Sequence, residues 1–200
     1  MDKLMKRLML GAAAALLSLG ALAQPASYGN AGNEAPSNSF VALANGPLTA
    51  FYTDWAGSLT VLVGARINGV DGPVGLNNQS SGYGDSFVLG NVSAGDSLVF
   101  FVDVTNTGDN TTARYYSDKT LNLDGRNHAW TLAYAGDALV PAGLHIAFED
   151  LPGGSADFNY HDHGIVVQGV LAIPAPVPEP ASWALLLGGA GLLALRRPRG

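Results

Sequence analysis

Cysteine is absent from the 200 residues. That excludes a disulfide framework, a thiolate metal site and a cysteine nucleophile at once. Basic side chains are nearly as scarce between residues 24 and 173, where Arg66, Arg114, Lys119 and Arg126 face fourteen acidic residues running from Glu34 to Asp162, a net charge of −10. Such a stretch has no Lys/Arg cluster to neutralise phosphates, so nucleic acid is excluded as a partner and cations or neutral sugars are the better fit. Also missing are a Gly-x-Ser-x-Gly elbow, a phosphate loop, a His-Glu-x-x-His helix, an EF-hand loop and any fixed-period repeat. An acid, a base and a pocket cannot be assembled from what is left, and the sequence reads as that of a non-enzyme.

What is present at the amino end is a secretory signal. Lys3, Lys6 and Arg7 precede an apolar run from Leu8 to Leu19, and Ala21-Leu22-Ala23 places small residues, Ala21 and Ala23, at both positions a signal peptidase reads. Residues 1–23 are therefore expected to be removed, leaving Gln24 as the first mature residue. Residues 24–47 are Ala, Gly, Asn, Ser and Pro with few bulky side chains, the composition of a flexible leader.

The carboxyl end, residues 174–200, has three parts. Pro174, Pro176, Pro178 and Pro180 form a stiff, donor-poor linker; Ala181 to Leu195 is apolar; and Arg196, Arg197 and Arg199 follow. At about 1.5 Å per residue the apolar helix reaches about 22 Å, against a hydrocarbon core of about 30 Å. A short transmembrane helix is still allowed if the arginines snorkel and the bilayer thins. Val177-Pro178-Glu179-Pro180, the Gly-rich apolar segment and the basic end, with Arg196 and Arg197, resemble the PEP-CTERM sorting signal. The resemblance implies recognition by an exosortase in the inner membrane of Gram-negative bacteria that make exopolysaccharide, cleavage near Pro178 to Pro180, and delivery to the cell surface or extracellular matrix of a biofilm.

Between the ends, residues 48–173 carry short runs rich in β-branched and aromatic residues: Leu48 to Trp55, Leu59 to Ile67, Ser86 to Val92, Ser97 to Thr105, Ala113 to Ser117, Ala129 to Tyr134, Leu144 to Phe148 and Ile165 to Leu171. Turn-formers such as Asn68-Gly69, Asp71-Gly72-Pro73 and Asp124-Gly125 separate them. Eight short strands without an amphipathic helix predict an all-β domain, an antiparallel β-sandwich of jelly-roll or immunoglobulin-like type, flanked by the signal helix and the short transmembrane helix. The run Ser97 to Val104 is apolar nearly throughout and predicts a central strand covered on both faces.

The densest polar cluster runs from Phe148 to His163. Glu149, Asp150, Asp157, Asn159 and Asp162 supply several of the six to eight oxygens a calcium ion takes, and Gly153 and Gly154 would let the backbone fold back on itself. Phe148-Glu149-Asp150-Leu151 followed by Asp157-Phe158-Asn159 resembles a bacterial surface domain of unknown function marked by Phe-Glu-Asp-Leu and Asp-Tyr-Asn-Asp segments. Tyr160-His161 departs from that pattern, so Asp162 supplies the final aspartate only across an insertion. His161 and His163, with His128 and His145 as outlying partners, are the basis of an alternative reading as a metal-dependent hydrolase. Tyr83 and Tyr160, in turn-like contexts, are the basis of another, a carbohydrate-binding module for exopolysaccharide. The leading expectation is a non-catalytic, exported surface or matrix protein, possessing an acidic loop ordered by calcium.

Overall fold

The structure, a computed structural model, describes residues 24–54 and 56–175. The expected signal peptide with Ala21 and Ala23, the expected sorting tag with Val177, Pro178, Glu179, Pro180, Arg196 and Arg197, and Trp55 lie outside the described residues. The segments expected as flanking helices do so too. Among the described residues no helix is long and apolar enough to cross a membrane.

The described chain is all-β, with eleven strands in two antiparallel sheets. One sheet contains β1 (Asn38–Ala42), β3 (Thr60–Ile67), β4 (Val70–Gly75), β6 (Ser97–Asn106), β7 (Thr111–Tyr116) and β11 (Val170–Pro174) in the order β11-β1-β6-β3-β4, with β7 also paired to β6. The other contains β2 (Gly46–Asp54), β5 (Ser86–Val92), β8 (Ala129–Tyr134), β9 (Gly143–Phe148) and β10 (His163–Val167) in the order β5-β2-β10-β9-β8. Among the described residues a single 3-10 turn, Lys119–Leu121, is capped by Asp118.

Alternate residues of each strand point to one face, and the inward set makes the core. Leu48, Ala50 and Tyr52 of β2, Ile146 and Phe148 of β9, and Ile165 and Val167 of β10 pack with Val61, Val63 and Ala65 of β3 and Leu98, Phe100, Val102 and Val104 of β6. The two sheets thus close on one another as a sandwich-like pair. Strand β6 is central, bonded to β1, β3 and β7, and Phe100, Phe101 and Val102 are all fully buried, as its unbroken apolar run requires.

Three elements differ from the sequence reading. Where composition suggests a flexible leader, the chain forms β1, and Ala35 and Phe40 are buried; the drive is tertiary, since β1 pairs with both β6 and β11. Asp71-Gly72-Pro73 reads as a turn but lies within β4, an edge strand where the missing Pro73 N–H leaves no ladder bond unmade. The run Ile165 to Leu171 is two strands, broken at Gln168-Gly169, where Gly169 takes a left-handed φ of 66°. β10 then stays in one sheet while β11 crosses to the other.

Candidate metal centre

The end of β9 carries the chain out of the core at Phe148 and straight into two carboxylates. Glu149 N–H donates to the carbonyl of His128 at 3.0 Å, Asp150 N–H donates to Asp162 Oδ2 at 2.9 Å, and Asp162 N–H donates to the Phe148 carbonyl at 3.1 Å. The return strand β10 begins at His163, which is paired with Phe148, so the two ends of the loop are held side by side. One carboxylate oxygen from each of Glu149, Asp150 and Asp162 then lies within 4.8 Å of the others. Among the described residues this is the group of three whose ligand atoms converge.

Two of the trio are buried, and Asp162 is half-buried. Glu149 is 1% exposed and Asp150 5%, and Glu149 Oε2 has no hydrogen-bond partner. Burial, and then the neighbouring charge of Asp162, push Glu149 up to about 8 and Asp150 up to about 7. Asp162 is raised too, first by burial. The closeness of Asp150 and Asp162, two like charges, favours a proton on one of them. A buried carboxylate with one oxygen unpartnered, beside two more, is a costly arrangement for a protein alone, and a hard cation with oxygen ligands would remove the cost.

Asp157, also expected as a ligand, is not among the converging carboxylates, and Asn159, expected with it, is bonded within the loop. Asp157 is exposed and accepts from Asn159 N–H at 3.0 Å and Asn159 Nδ2 at 2.7 Å, while Asn159 Oδ1 accepts from His161 N–H at 2.7 Å. Asp157 still acts on the trio through its charge. The reversal of the loop does not use left-handed Gly153 or Gly154. Phe158 (φ 48°) and Tyr160 (φ 54°) take the left-handed conformation instead, a rare one for aromatic residues. Their side chains are buried against Ala35 and Ala147 on the outer face of β9, which offsets the strain. Gly153 serves another purpose, since a Cβ there would stand 2.8 Å from Arg126 Cγ.

The sequence reading missed the brace beneath the loop. Asp124, taken there as part of a turn, accepts Gly153 N–H at 2.8 Å and faces His128 Nε2 at 3.0 Å. His128 is fully buried, bonds the Glu149 carbonyl through Nδ1 at 3.0 Å, and stacks on Tyr115 with ring centroids 4.1 Å apart. A carboxylate four residues before a buried histidine was the available signal.

His161 and His163 do not meet. His161 is exposed and bonds Asp54 at 2.6 Å, whereas His163 is fully buried, edge-on to Tyr52, with both ring nitrogens unpartnered, and burial drives its pKa down to about 3. The pair therefore offers no shared transition-metal site. Tyr160 is 3% exposed, its hydroxyl donating to the Asn127 carbonyl at 2.9 Å, so its ring is closed to a sugar. Tyr83 is half-buried, and its hydroxyl bonds Asp137 and Tyr134.

No family model matches this sequence, and comparison with curated proteins and with solved structures finds no match to either.

Proposed function

We propose that this chain is an exported, non-catalytic surface or matrix protein whose acidic loop is ordered by calcium through Glu149, Asp150 and Asp162. The observation that carries the reading is the buried Glu149 carboxylate, with no partner on Oε2, facing two further carboxylates in a domain with very few cations. Three carboxylates supply up to six oxygens, and the loop's exposed side leaves room for water to complete a calcium shell. The secretory signal and the PEP-CTERM-like tag support export through the inner membrane and processing by a signal peptidase and an exosortase. Calcium is abundant outside cells, and a cysteine-free exported domain gains from it the bracing that disulfides would give.

The finer architecture is of jelly-roll type in this reading. Pairing is nested, β1 with β11, β2 with β10 and β3 with β6, as in a long hairpin rolled across two sheets, and this supports the jelly-roll over the immunoglobulin-like arrangement.

Thermal unfolding of the purified chain in chelator and then in millimolar calcium is the test. A ligand at a hundred times its Kd adds about 2.7 kcal/mol, which for a domain of this size is a rise of about 5–10 °C. The rise is expected to vanish in Asp150→Ala and in Asp162→Ala. An unchanged midpoint in the parent chain overturns the proposal.

A further inference from the structure

Residues 28–35 cross the outer face of the second sheet and hold the acidic loop by its main chain. Gly32 N–H donates to the Asp157 carbonyl at 2.9 Å. Ala35 N–H donates to the Tyr160 hydroxyl at 2.8 Å, which in turn donates to Asn127. Glu34 accepts Asn127 N–H at 2.8 Å, and Asn127 Nδ2 donates to the carbonyls of Ala35 and Pro36. The Tyr28 ring packs edge-on against Tyr160 at 5.1 Å and tilted on Trp130 at 5.3 Å. Segment and loop therefore share one small apolar cluster and one post, Asn127.

From this geometry we infer that residues 28–35 are a strap whose docking is coupled to occupancy of the Glu149, Asp150 and Asp162 site by a divalent cation. This rests on the calcium reading above. The part of the loop that the strap grips, Asp157 to Tyr160, is the part whose left-handed residues bring Asp162 back toward Glu149 and Asp150. Without a cation, those of the three carboxylates that are ionised repel one another within 4.8 Å, and the loop relieves the repulsion by swinging Asp162 away. That motion carries off the Asp157 carbonyl and the Tyr160 hydroxyl, the two loop atoms to which the strap is bonded. A cation among the carboxylates removes the drive to open, so the strap stays down. The coupling is reciprocal: the factor by which a docked strap tightens cation binding equals the factor by which the cation favours docking. The strap begins only a few residues beyond the expected signal-peptide cleavage point, so the segment closest to that cut finishes folding where calcium is present.

The experiment is amide hydrogen exchange on the full chain in EGTA and in saturating calcium, with calcium Kd measured by calorimetry for the parent, Tyr28→Ala and Tyr160→Phe. Tyr160→Phe keeps the ring and removes only the hydroxyl bonds. Expected are exchange at Gly32 and Ala35 roughly tenfold slower in calcium, and calcium affinity weakened roughly tenfold in both variants. Calcium binding to the parent with unchanged exchange at Gly32 and Ala35, or with parental affinity in both variants, overturns the strap while leaving the cation site standing. Absence of calcium binding to the parent overturns both.

Discussion

The guanidinium of Arg114 lies over the ring of Phe101, 3.9 Å from its centroid. Asp103 holds Arg114 in place with bonds of 2.5 and 2.7 Å, and Asp71 takes its Nη1 at 2.6 Å. Phe101 points away from the inter-sheet core, yet it is fully buried, because Arg114 covers one side and the bare backbone of Gly64 admits the ring on another. A Cβ at Gly64 would stand 2.4 Å from the ring. Gly64→Ala is expected to destabilise the domain by about 1–3 kcal/mol, the usual cost of overpacking, read as a lower urea midpoint. A midpoint within error of the parent would mean that Phe101 has somewhere else to go.

The carboxylate trio is expected to give the domain a stability that falls toward alkaline pH. Glu149 (about 8) and Asp150 (about 7) are raised above their ordinary values by burial first and the charge of Asp162 next. A raised carboxyl stabilises the fold fully below its unfolded pKa, near 4, and that contribution is lost as pH climbs through 7 to 8. His145, lowered to about 4 by burial, acts from the other side: its contribution is present above its unfolded value of 6.5 and is lost as pH falls toward 4. In chelator the melting temperature should therefore peak in mildly acidic buffer and decline by pH 8.5. In calcium the decline should disappear, because the ion binds the deprotonated carboxylates. Calorimetry at pH 6 and pH 8.5 should show affinity at least roughly tenfold tighter at the higher pH, with proton release at the lower. Affinity independent of pH would place the ion elsewhere.

Asp124 is a support and not a ligand. It accepts the N–H groups of Arg126 and Gly153 and faces the buried ring of His128. Asp124→Ala leaves a buried imidazole nitrogen without a partner and is expected to cost about 2–3 kcal/mol in chelator. Urea unfolding checks this, with saturating calcium expected to restore part of the loss through mass action.

Processing is read by mass. Protein extracted from the surface of an exosortase-bearing host should begin at Gln24 and end near Pro180. A full-length carboxyl end, in cells that trim other tagged proteins, would count against the sorting signal.

Strand positions were legible where side-chain chemistry is local. Ser86–Val92 and Ala129–Tyr134 were read to the residue, since β-branched and aromatic runs end at turn-formers there. β1 was hidden because Asn38, Ser39 and Ala42 have little strand preference of their own, and its pairing with β11 spans most of the chain. β4 was hidden because Asp71-Gly72-Pro73 has the letters of a turn and the surroundings of a sheet edge. The oxygen-bearing side chains of the site were visible as composition, but which of the five would converge was not. That is decided by left-handed turns at Phe158 and Tyr160, residue types that carry no sign of positive φ. The buried contacts of Tyr28 and Ala35 with the loop were equally silent, being made across more than a hundred residues.

Asn38 sits opposite Pro174 in the β1–β11 ladder, and Ala175 N–H is tied to the Ser37 carbonyl. Those two points of the polypeptide therefore lie at the same corner of the sandwich. Tension applied between those two points loads the ladder one bond at a time, as a zipper is opened, and not all at once as in shear. Along that line the β1–β11 ladder resists pulling less than it would in shear. Tandem copies joined there would sit shoulder to shoulder and not extend as a stalk.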